Sequence, residues 1–339
     1  MMREAIRLNM NEVPYPPPRR IIEAARQGLE NLNRYADPEH LGFLRRLLAG
    51  YAGVPERHVI PGAGSNLLLR EMIHVFSKER KVLMVSPSFL PTVEAAKQFA
   101  TKSVSIRLSP PEFDLNVEML MKAVKEPSLV VIDSPNNPTG KILITRETVE
   151  RLTQNVDVLV VIDEAYYEFS QVTFADMVPD HPNLAITRTM DKAFSLAGAR
   201  IGYVIAGERF ASAFSSYDPF LPQCSLHAAT EALDDPSYVR RNVCRVIEER
   251  ERLLKKLDGL GAHVYSSDTN FVLMYTGLPA AGRRFRDLGV LVSDLTTQLP
   301  PGFIRVSVGT REENDVFLDR YMKILKDHGS KRLFSKNHA

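Results

Sequence analysis

The sequence feature that most constrains the fold is a series of continuous apolar segments that alternate with helix-like segments between residues 58 and 207. Such segments are typical of strands buried on both faces, because half-exposed strands alternate apolar and polar residues. Strands separated by helices pair in parallel and are covered by those helices. We therefore predict an α/β fold with a large, mostly parallel mixed sheet covered by helices. Its predicted strands are KVLMVSP (81–87), VSIRL (104–108), SLVVIDSP (128–135), DVLVVIDEAYYEF (157–169), NLAITRT (183–189) and RIGYVIAG (200–207).

Chemically suggestive side chains lie at or just after the carboxyl ends of these strands, namely Phe89, Asn137, Asp163 and Lys192. Each has a plain interpretation by itself, such as core packing for Phe89 or a solvated surface charge for Lys192. In sheets of this kind, however, ligands bind at the carboxyl ends of the strands. Four such residues at equivalent positions therefore predict one common site.

The segment TRTMDKAFSLAGARIGY (187–203) indicates the chemistry of that site. Thr189 lies three residues before Lys192, and Arg200 lies eight residues after it. A hydroxyl and a guanidinium suit a phosphate, and a lysine amine forms a Schiff base with a carbonyl. Pyridoxal phosphate (PLP) is the common cofactor that carries both groups.

A second phosphate contact is predicted in HVIPGAGSNLLLREMIHVF (58–76), which reads as a strand, a turn of small residues and a helix. Backbone N–H groups near Ala63 and Gly64 can approach an anion, and the following helix N-terminus favours one. Taken alone, this pattern is more often an ordinary strand-to-helix turn.

The remaining residues at the strand ends suit the ring of such a cofactor. Asp163 ends an apolar run, so its buried carboxylate would pair with the protonated ring nitrogen, whereas Glu164 would point to the other face. Asn137 and Tyr166 offer donors to the ring oxygen, and Phe89 is placed to stack on the ring. Lys192 would then also move the substrate proton, because burial and the charge of Arg200 lower the pKa of its amine.

From about residue 208 the pattern changes to a long charged helix, 236–258, followed by shorter strands and helices. This predicts a smaller α/β domain, in which Arg305 on the strand FIRVSVG is the candidate clamp for a substrate carboxylate and Asn270 assists. The predicted parts are an N-terminal arm and helix that pack with the small domain (1–32), a large PLP-binding domain (33–235), the small domain (236–328) and a frayed basic tail (329–339).

Composition excludes several classes of function. A formal charge of +2 argues against a dedicated nucleic-acid or membrane surface, and no apolar run is long enough to span a bilayer. The two cysteines are too few for a disulfide framework, which fits a reducing cytoplasm, and no cysteine or histidine spacing suits zinc. The first residues have no apolar core, so we expect no signal peptide.

Three blocks, SPNNPTG, VIDEAYYEF and TRTMDKAFSLAGARIGY, resemble the signatures of fold-type I, class II aminotransferases, and among these the histidinol-phosphate aminotransferases are nearest. The resemblance extends from LNMNEVPYPPP through RYADPEH and PGAGSN to FIRVSVGTREEND. It implies a PLP-dependent aminotransferase that moves an amino group between an amino acid and a 2-oxo acid. It also implies a homodimer with active sites at the subunit interface.

Carried over block by block, the resemblance implies the same roles for the residues named above. Lys192 is the Schiff-base lysine, Asp163 the partner of the ring nitrogen, and Arg305 the substrate clamp. It adds one residue, Tyr35 of RYADPEH, which would reach the cofactor phosphate of the partner subunit.

Three departures from the family pattern concern the phosphates and the arm. Asp191 stands where a serine or threonine usually precedes the lysine, and a carboxylate there repels a phosphate unless it turns away or pairs with a cation. Ser293 stands where members with phosphorylated substrates usually have an arginine. Arg283, Arg284 or Arg286 would have to replace that missing guanidinium. Val13 replaces a polar arm residue.

These departures leave alternatives open. The amino donor is histidinol phosphate or an unphosphorylated, for example aromatic, amino acid. The scaffold also suits a PLP-dependent decarboxylase, and a non-catalytic binding protein is favoured by Asp191 alone. A dinucleotide-binding protein is a weaker rival, because no G-x-G-x-x-G follows the first strand.

Overall fold

The computed structural model describes residues 5–124, 126–214, 217 and 219–336, with side chains described as far as residue 328. The first elements are β1 (Ile6–Leu8), α1 (Arg19–Leu29), α2 (Pro38–Ala52), β2 (Val59–Gly62), α3 (Ser65–Phe76), β3 (Lys81–Ser86), α4 (Leu90–Phe99) and β4 (Ser103–Arg107). The next are α5 (Val117–Ala123), β5 (Ser128–Asp133), α6 (Arg146–Thr153), β6 (Val158–Asp163), α7 (Tyr167–Ser170), β7 (Leu184–Thr189), β8 (Gly202–Ala206) and α8 (Glu208–Ala213). The last are α9 (Gln223–Asp234), α10 (Ser237–Gly259), β9 (His263–Val264), β10 (Phe271–Tyr275), α11 (Ala281–Asp287), β11 (Val290–Asp294), β12 (Phe303–Ser307) and α12 (Arg311–Lys336).

The large sheet has seven strands in the order β2-β8-β7-β6-β5-β3-β4. Its central pairs are parallel, and β8 is antiparallel to both of its neighbours, β2 and β7. This confirms the predicted α/β fold with a mostly parallel mixed sheet. The register pairs Asp133 with Asp163 and Asp163 with Thr187, so these polar residues lie side by side at one edge of the sheet.

Both faces of this sheet are buried, as its continuous apolar strands require. On β6, Val160 and Ile162 belong to the larger core cluster, whereas Leu159 and Val161 belong to a second cluster on the opposite face. Each buried aliphatic side chain contributes on the order of 1.5–3 kcal/mol. The sheet is therefore a rigid support for the loops at its carboxyl edge.

The small sheet has five strands in the order β1-β11-β12-β10-β9. Strand β1 comes from the N-terminal arm and pairs in parallel with β11. A third core cluster lies beneath this sheet and includes Val272, Phe285, Phe317 and Tyr321. The arm therefore begins inside the small sheet and then crosses toward the large one.

Helix α1 differs from the expectation that the whole segment 1–32 packs with the small domain. It packs along α9, where Gly28 comes so close that an added Cβ would lie 2.5 Å from the backbone of Cys224. Ile21 is part of the core of the large sheet. Residues 1–4 of the predicted arm lie outside the described part of the chain.

Some element boundaries also differ from the sequence prediction. Strand β6 ends at Asp163, because the chain turns there so that the Glu164 carboxylate can accept a hydrogen bond from the Phe174 N–H at 2.7 Å. The predicted strand 157–169 was therefore too long. Helix α12 continues through most of the segment expected to be frayed, whose residues 337–339 lie outside the described part. In the described part of the chain, every helix is too short or too polar to cross a membrane.

Candidate active site

The carboxyl edge of the large sheet faces the small sheet across a cavity of about 500 Å³. This is within the range of roughly 300–1,000 Å³ that is usual for small-molecule sites. Eight of the residues predicted to bind cofactor or substrate line it together, namely Phe89, Asn137, Asp163, Tyr166, Thr189, Lys192, Arg200 and Arg305.

Asp163 is the acidic group at the end of β6. Its Oδ1 accepts a hydrogen bond from the Thr187 hydroxyl at 2.7 Å, and only 6% of the residue is exposed. Burial raises the pKa of Asp163 to about 7. A carboxylate of this kind gains from a cationic partner such as a protonated ring nitrogen.

Lys192 lies in the loop after β7, and its Nζ donates a hydrogen bond to the Met10 carbonyl at 3.2 Å. Burial lowers the pKa of Lys192 to about 8, and Arg305 and Arg200 act in the same direction against the opposing charge of Asp191. Roughly a tenth of the amine is therefore neutral at pH 7, far more than for an ordinary lysine, and a nucleophile or base must be neutral.

Tyr166 and Asn137 form a pair of hydrogen-bonding groups beside Asp163. The Tyr166 oxygen accepts from Asn11 Nδ2 at 2.8 Å and from Asn137 Nδ2 at 3.4 Å. Because both neighbours donate, the proton of the Tyr166 hydroxyl remains available to an acceptor. Burial raises the pKa of Tyr166 to about 12, which keeps that proton in place.

The predicted phosphate-binding groups surround the start of α3. Gly64 has a φ of +88°, and a Cβ added there would lie 2.5 Å from Nη2 of Arg200. The backbone conformation at position 64 therefore favours glycine, and a side chain there would also displace the Arg200 guanidinium. The first helical residue, Ser65, lines the cavity together with Thr189 and Arg200. A helix N-terminus, a hydroxyl and a guanidinium therefore meet at one end of the cavity.

Asp191 turns toward a cation, which is one of the two outcomes allowed by the sequence. Its Oδ2 pairs with the Arg200 guanidinium, and its buried Oδ1 has no hydrogen-bond partner among the described residues. Burial raises the pKa of Asp191, and the nearby Arg200 opposes this. Arg200 is therefore shared between the end of the cavity and this carboxylate.

Arg305 reaches the cavity from β12. Its guanidinium donates to the Asn9 carbonyl at 2.7 Å and to the Asn137 amide oxygen, and its Nε has no partner. No carboxylate pairs with it in the described part of the chain. A buried guanidinium held only by neutral oxygens is suited to bind an anion.

Four of the predicted site residues do not line this cavity, namely Ala63, Gly64, Asn270 and Tyr35. Ala63 packs against the core of the large sheet, next to Gly64. The Asn270 side chain donates to the Asn11 carbonyl at 2.8 Å and so holds the arm. Tyr35 is 84% exposed, with its ring 5.6 Å from that of Phe220.

Sequence reasoning missed several residues of the site. Asn9, Met10 and Asn11 of the arm line the cavity, and only the tertiary fold brings them there. Asp133 also lines it, at the end of β5. The strand-end criterion that identified Asp163 applies equally to Asp133, so its signal was present in the sequence.

The arrangement fits PLP by its donor set. Lysine, carboxylate and anion-binding groups line a single cavity, and the Arg200 guanidinium lies against a glycine that leaves it room. The Arg305 guanidinium, which is bonded only to neutral oxygens, remains for a second anion. Such a site can hold a cofactor phosphate, a ring nitrogen and a substrate anion at the same time.

Comparison with known proteins agrees with this geometry. The family described as aminotransferase class I and II matches residues 3–320. A histidinol-phosphate aminotransferase from Sulfurisphaera tokodaii is 36% identical over 97% of this chain and 93% of its own length. One from Archaeoglobus fulgidus is 32% identical over 95% and 94%. The solved structure of the Sinorhizobium meliloti enzyme in complex with PLP has a TM-score of 0.86 at 25% identity, covering 96% of this chain and 92% of that one.

The chain therefore belongs to the class I and II aminotransferases. It is a transaminase that uses PLP, and it moves an amino group between an amino acid and a 2-oxo acid. This matches the family and the activity that the sequence blocks imply.

Proposed function

We propose that transamination takes place in this cavity, with Lys192 as the amine that binds the cofactor aldehyde and Asp163 as the partner of the ring nitrogen. The observation that carries this proposal is that both side chains line one cavity of about 500 Å³. When bound, PLP supplies a ring that withdraws the electrons left on the substrate when a proton leaves its Cα. Asp163 favours this by keeping the ring nitrogen protonated.

The neighbouring residues orient the cofactor. The Tyr166 hydroxyl and the Asn137 amide are close enough to share one ring oxygen, since their own atoms lie 3.4 Å apart. Phe89 contacts the ring face from the loop after β3. Arg200, Thr189 and the N-terminus of α3 at Ser65, which all line the cavity, hold the phosphate, whereas the predicted contacts at Ala63 and Gly64 do not line it.

Lys192 moves the proton at Cα once the substrate amine has taken its place on the cofactor. Its pKa of about 8 is close to the operating pH, which is where general bases work best. Arg305 holds the substrate anion, and Asn270 supports it indirectly by fixing the arm beside it.

We propose histidinol phosphate as the amino donor and histidine biosynthesis as the pathway, because the similar curated relatives carry that name at up to 36% identity. In this assignment Arg305 holds the donor phosphate and, in the other half-reaction, the carboxylate of the amino-acid partner. A single guanidinium would serve both anions.

One observation favours a second candidate, an unphosphorylated amino-acid donor. Ser293 pairs in register with Arg305, so an arginine at 293 would stand beside it. Among the described residues, the basic side chains lining the cavity are Lys192, Arg200 and Arg305. Arg283, Arg284 and Arg286 of α11 do not line it, so none of them compensates directly within this chain.

Two measurements test these assignments. Borohydride reduction of the PLP-loaded protein, followed by peptide mapping, is expected to label Lys192, and a label on another lysine would refute the assignment. A screen of histidinol phosphate, phenylalanine, tyrosine, aspartate and glutamate, followed by loss of the cofactor absorbance, identifies the donor. Release of carbon dioxide without formation of an oxo acid would indicate the decarboxylase alternative instead.

Ser293→Arg separates the two kinds of donor. A second guanidinium beside Arg305 adds a charge-assisted contact of about 1.5–3 kcal/mol to a phosphate. We expect kcat/KM for histidinol phosphate to rise by roughly 10- to 100-fold. Ser293→Gln is the control for side-chain size, and an equal rise there would show that charge is not the cause.

We further propose a cytoplasmic homodimer with shared active sites. Both cysteines of the chain are free thiols, as a reducing compartment allows. Leu32, Tyr35 and Phe220 are 73%, 84% and 66% exposed, and apolar side chains at this level of exposure suit a subunit interface. Tyr35 would contact the cofactor phosphate of the partner from this surface.

A further inference from the structure

Asp133 is a second buried carboxylate at the carboxyl edge of the large sheet. It ends β5 as Asp163 ends β6, and the two residues are paired in the parallel register. Neighbouring strands lie about 4.8 Å apart. Asp133 is 5% exposed and lines the cavity, yet the chemistry derived above gives it no part.

The Asp133 carboxylate accepts four hydrogen bonds. Oδ1 accepts from the Ser88 hydroxyl at 2.8 Å and from Asn136 Nδ2 at 3.0 Å. Oδ2 accepts from the Asn137 N–H at 2.8 Å and from the Phe89 N–H at 3.2 Å. The Asn136 amide is fixed in this orientation, because its own oxygen accepts from Thr139.

All four partners can act as donors, and three of them can act only as donors. A proton on Asp133 would therefore face an N–H or displace a hydrogen bond, so the arrangement suits the ionised carboxylate. The bonds join two separate loops, one carrying Phe89 before α4 and the other carrying Asn137. These loops reach the cavity from different strands, and Asp133 is the group that they share.

We propose that Asp133 is a positioning residue of the cofactor site, which ties the Phe89 and Asn137 loops to each other and fixes their side chains against the cofactor ring. The proposal rests on the proposed roles of Phe89 and Asn137. Asp133 acts through these two residues and also places a negative charge beside Asp163.

Asp133→Asn tests the proposal with little change in size. An amide keeps one accepting oxygen but puts an NH₂ group where the other oxygen accepted two bonds, so two of the four bonds are lost, or one if the Ser88 hydroxyl turns to accept. We expect the dissociation constant of PLP, measured by titrating the cofactor-free protein, to rise by about 10- to 100-fold. The circular dichroism induced in the cofactor absorption band is expected to fall by half or more, because this signal reports how the ring is held.

Ser88→Ala provides a second, milder variant that leaves both backbone donors in place. We expect its PLP dissociation constant to rise by about three- to tenfold, so the proposal stays testable if Asp133→Asn does not fold. Asp176→Asn removes an exposed carboxylate that pairs with Arg146 far from the cavity and is expected to leave both measurements unchanged.

The outcomes separate this inference from the proposed function. If the wild-type protein binds PLP and both Asp133→Asn and Ser88→Ala match its affinity and dichroism, the positioning role is refuted and the proposed function stands. If both variants lose thermal stability while both cofactor measurements stay unchanged, Asp133 has a structural role only and the proposal is likewise refuted. If the wild-type protein takes up no PLP, the proposed function itself fails.

Discussion

At the scale of single residues, the site contains an ionisable side chain whose burial lowers the free energy of unfolding. Asp163 is buried without a cationic side chain bonded to it in the described structure, and burial raises its pKa to about 7. An unfolded aspartate has a pKa of about 3.9. The folded state therefore keeps a proton between pH 4 and 7 that the unfolded state has lost, and its stability falls as the pH rises through this window.

Asp163→Asn is expected to stabilise the cofactor-free protein, because the amide has no charge to bury. The increase in the free energy of unfolding over wild type should grow between pH 4 and 7 and stay constant above pH 7, reaching at most about 4 kcal/mol. Urea unfolding at pH 5, 6, 7 and 8 measures it, with transaminase activity lost in the same variant. An equal gain at every pH would contradict this reasoning, and the exposed Asp176→Asn should show no gain.

We expect that removing the charge of Asp191 increases the affinity for PLP. Its carboxylate pairs with Arg200 and stands near the proposed phosphate position. Since Arg200 is half exposed, the ion pair itself is worth at most about 1 kcal/mol, and repulsion of the phosphate is the larger effect. We expect Asp191→Ser to bind PLP up to about tenfold more tightly.

Asp191→Asn serves as its matched comparison, since it removes the charge but adds no hydroxyl. Tighter binding in both variants, measured by equilibrium titration, would identify charge as the cause. Weaker binding in both would mean that Asp191 supports the phosphate site, for example by orienting Arg200.

Most residues that line the cavity from the large sheet follow from one rule, that ligands bind at the carboxyl ends of parallel strands. This rule selects Phe89, Asn137, Asp163 and Lys192 from the sequence. It has no means of finding Asn9 or Met10, whose contacts to the site use backbone carbonyls. Every residue has such a carbonyl, so no side-chain pattern marks these positions.

At the scale of elements, the N-terminal arm completes the site. The Asn11 side-chain amide donates a hydrogen bond to the Tyr166 oxygen, and the Asn11 side-chain oxygen accepts one from the Ser307 hydroxyl at 3.1 Å. The Met10 and Asn9 carbonyls accept from Lys192 and Arg305. The prolines of NMNEVPYPPP predicted an irregular segment, but its course is fixed by the pairing of β1 with β11 and by these hydrogen bonds, which the sequence does not indicate.

Asn11→Gly tests the arm without straining it, because Asn11 has a φ of +53° that glycine adopts freely. Loss of two buried side-chain hydrogen bonds, each worth about 1 kcal/mol, should loosen the arm over Arg305. We expect KM for the amino donor to rise by about tenfold, with a smaller change in PLP affinity. Steady-state kinetics and PLP titration measure the two effects.

Asn11→Ala separates the side chain from the backbone. Alanine also loses the hydrogen bonds and in addition pays about 1 kcal/mol for its left-handed conformation. It should therefore resemble Asn11→Gly in KM and unfold at a lower temperature. Unchanged KM in both variants would show that the arm does not limit substrate binding.

The elements found from the sequence are those whose own residues specify them. Continuous apolar strands and the charged helix near 236–258 were placed to within a few residues of β5, β7 and α10. Helices α4 and α9 were not predicted, because their apolar stripes are short, although Pro91 and Pro222 at their starts are compatible with a helix. Strands β1 and β9 have three and two residues and exist only through their partners.

At the scale of the whole molecule, one helix connects the two sheets. Tyr238, Val243 and Val246 at the start of α10 belong to the core of the large sheet, whereas Leu253 and Leu257 near its end belong to the core of the small one. The predicted boundary at residue 236 stays a prediction. This helix explains why the sequence pattern changes there, since its apolar residues serve two cores in turn.

The proposed dimer places residues of one active site on two chains. Tyr35 is exposed and absent from the lining of its own cavity, while Lys192 and Asp163 line that cavity. If Tyr35 completes the phosphate site of the partner, a chain with Tyr35→Ala and a chain with Lys192→Ala can complement each other. Their mixed dimer has one site with both residues intact and one site lacking both.

Co-expression of these two variants is therefore expected to recover about a quarter of wild-type activity, because random pairing makes half of the dimers mixed. The assay uses a PLP concentration that saturates the wild-type protein but not the Tyr35→Ala protein. Lys192→Ala co-expressed with Asp163→Asn is the control, since both residues line the cavity of one chain and every site keeps a defect. Recovery no greater than in this control would place Tyr35 outside the partner's site.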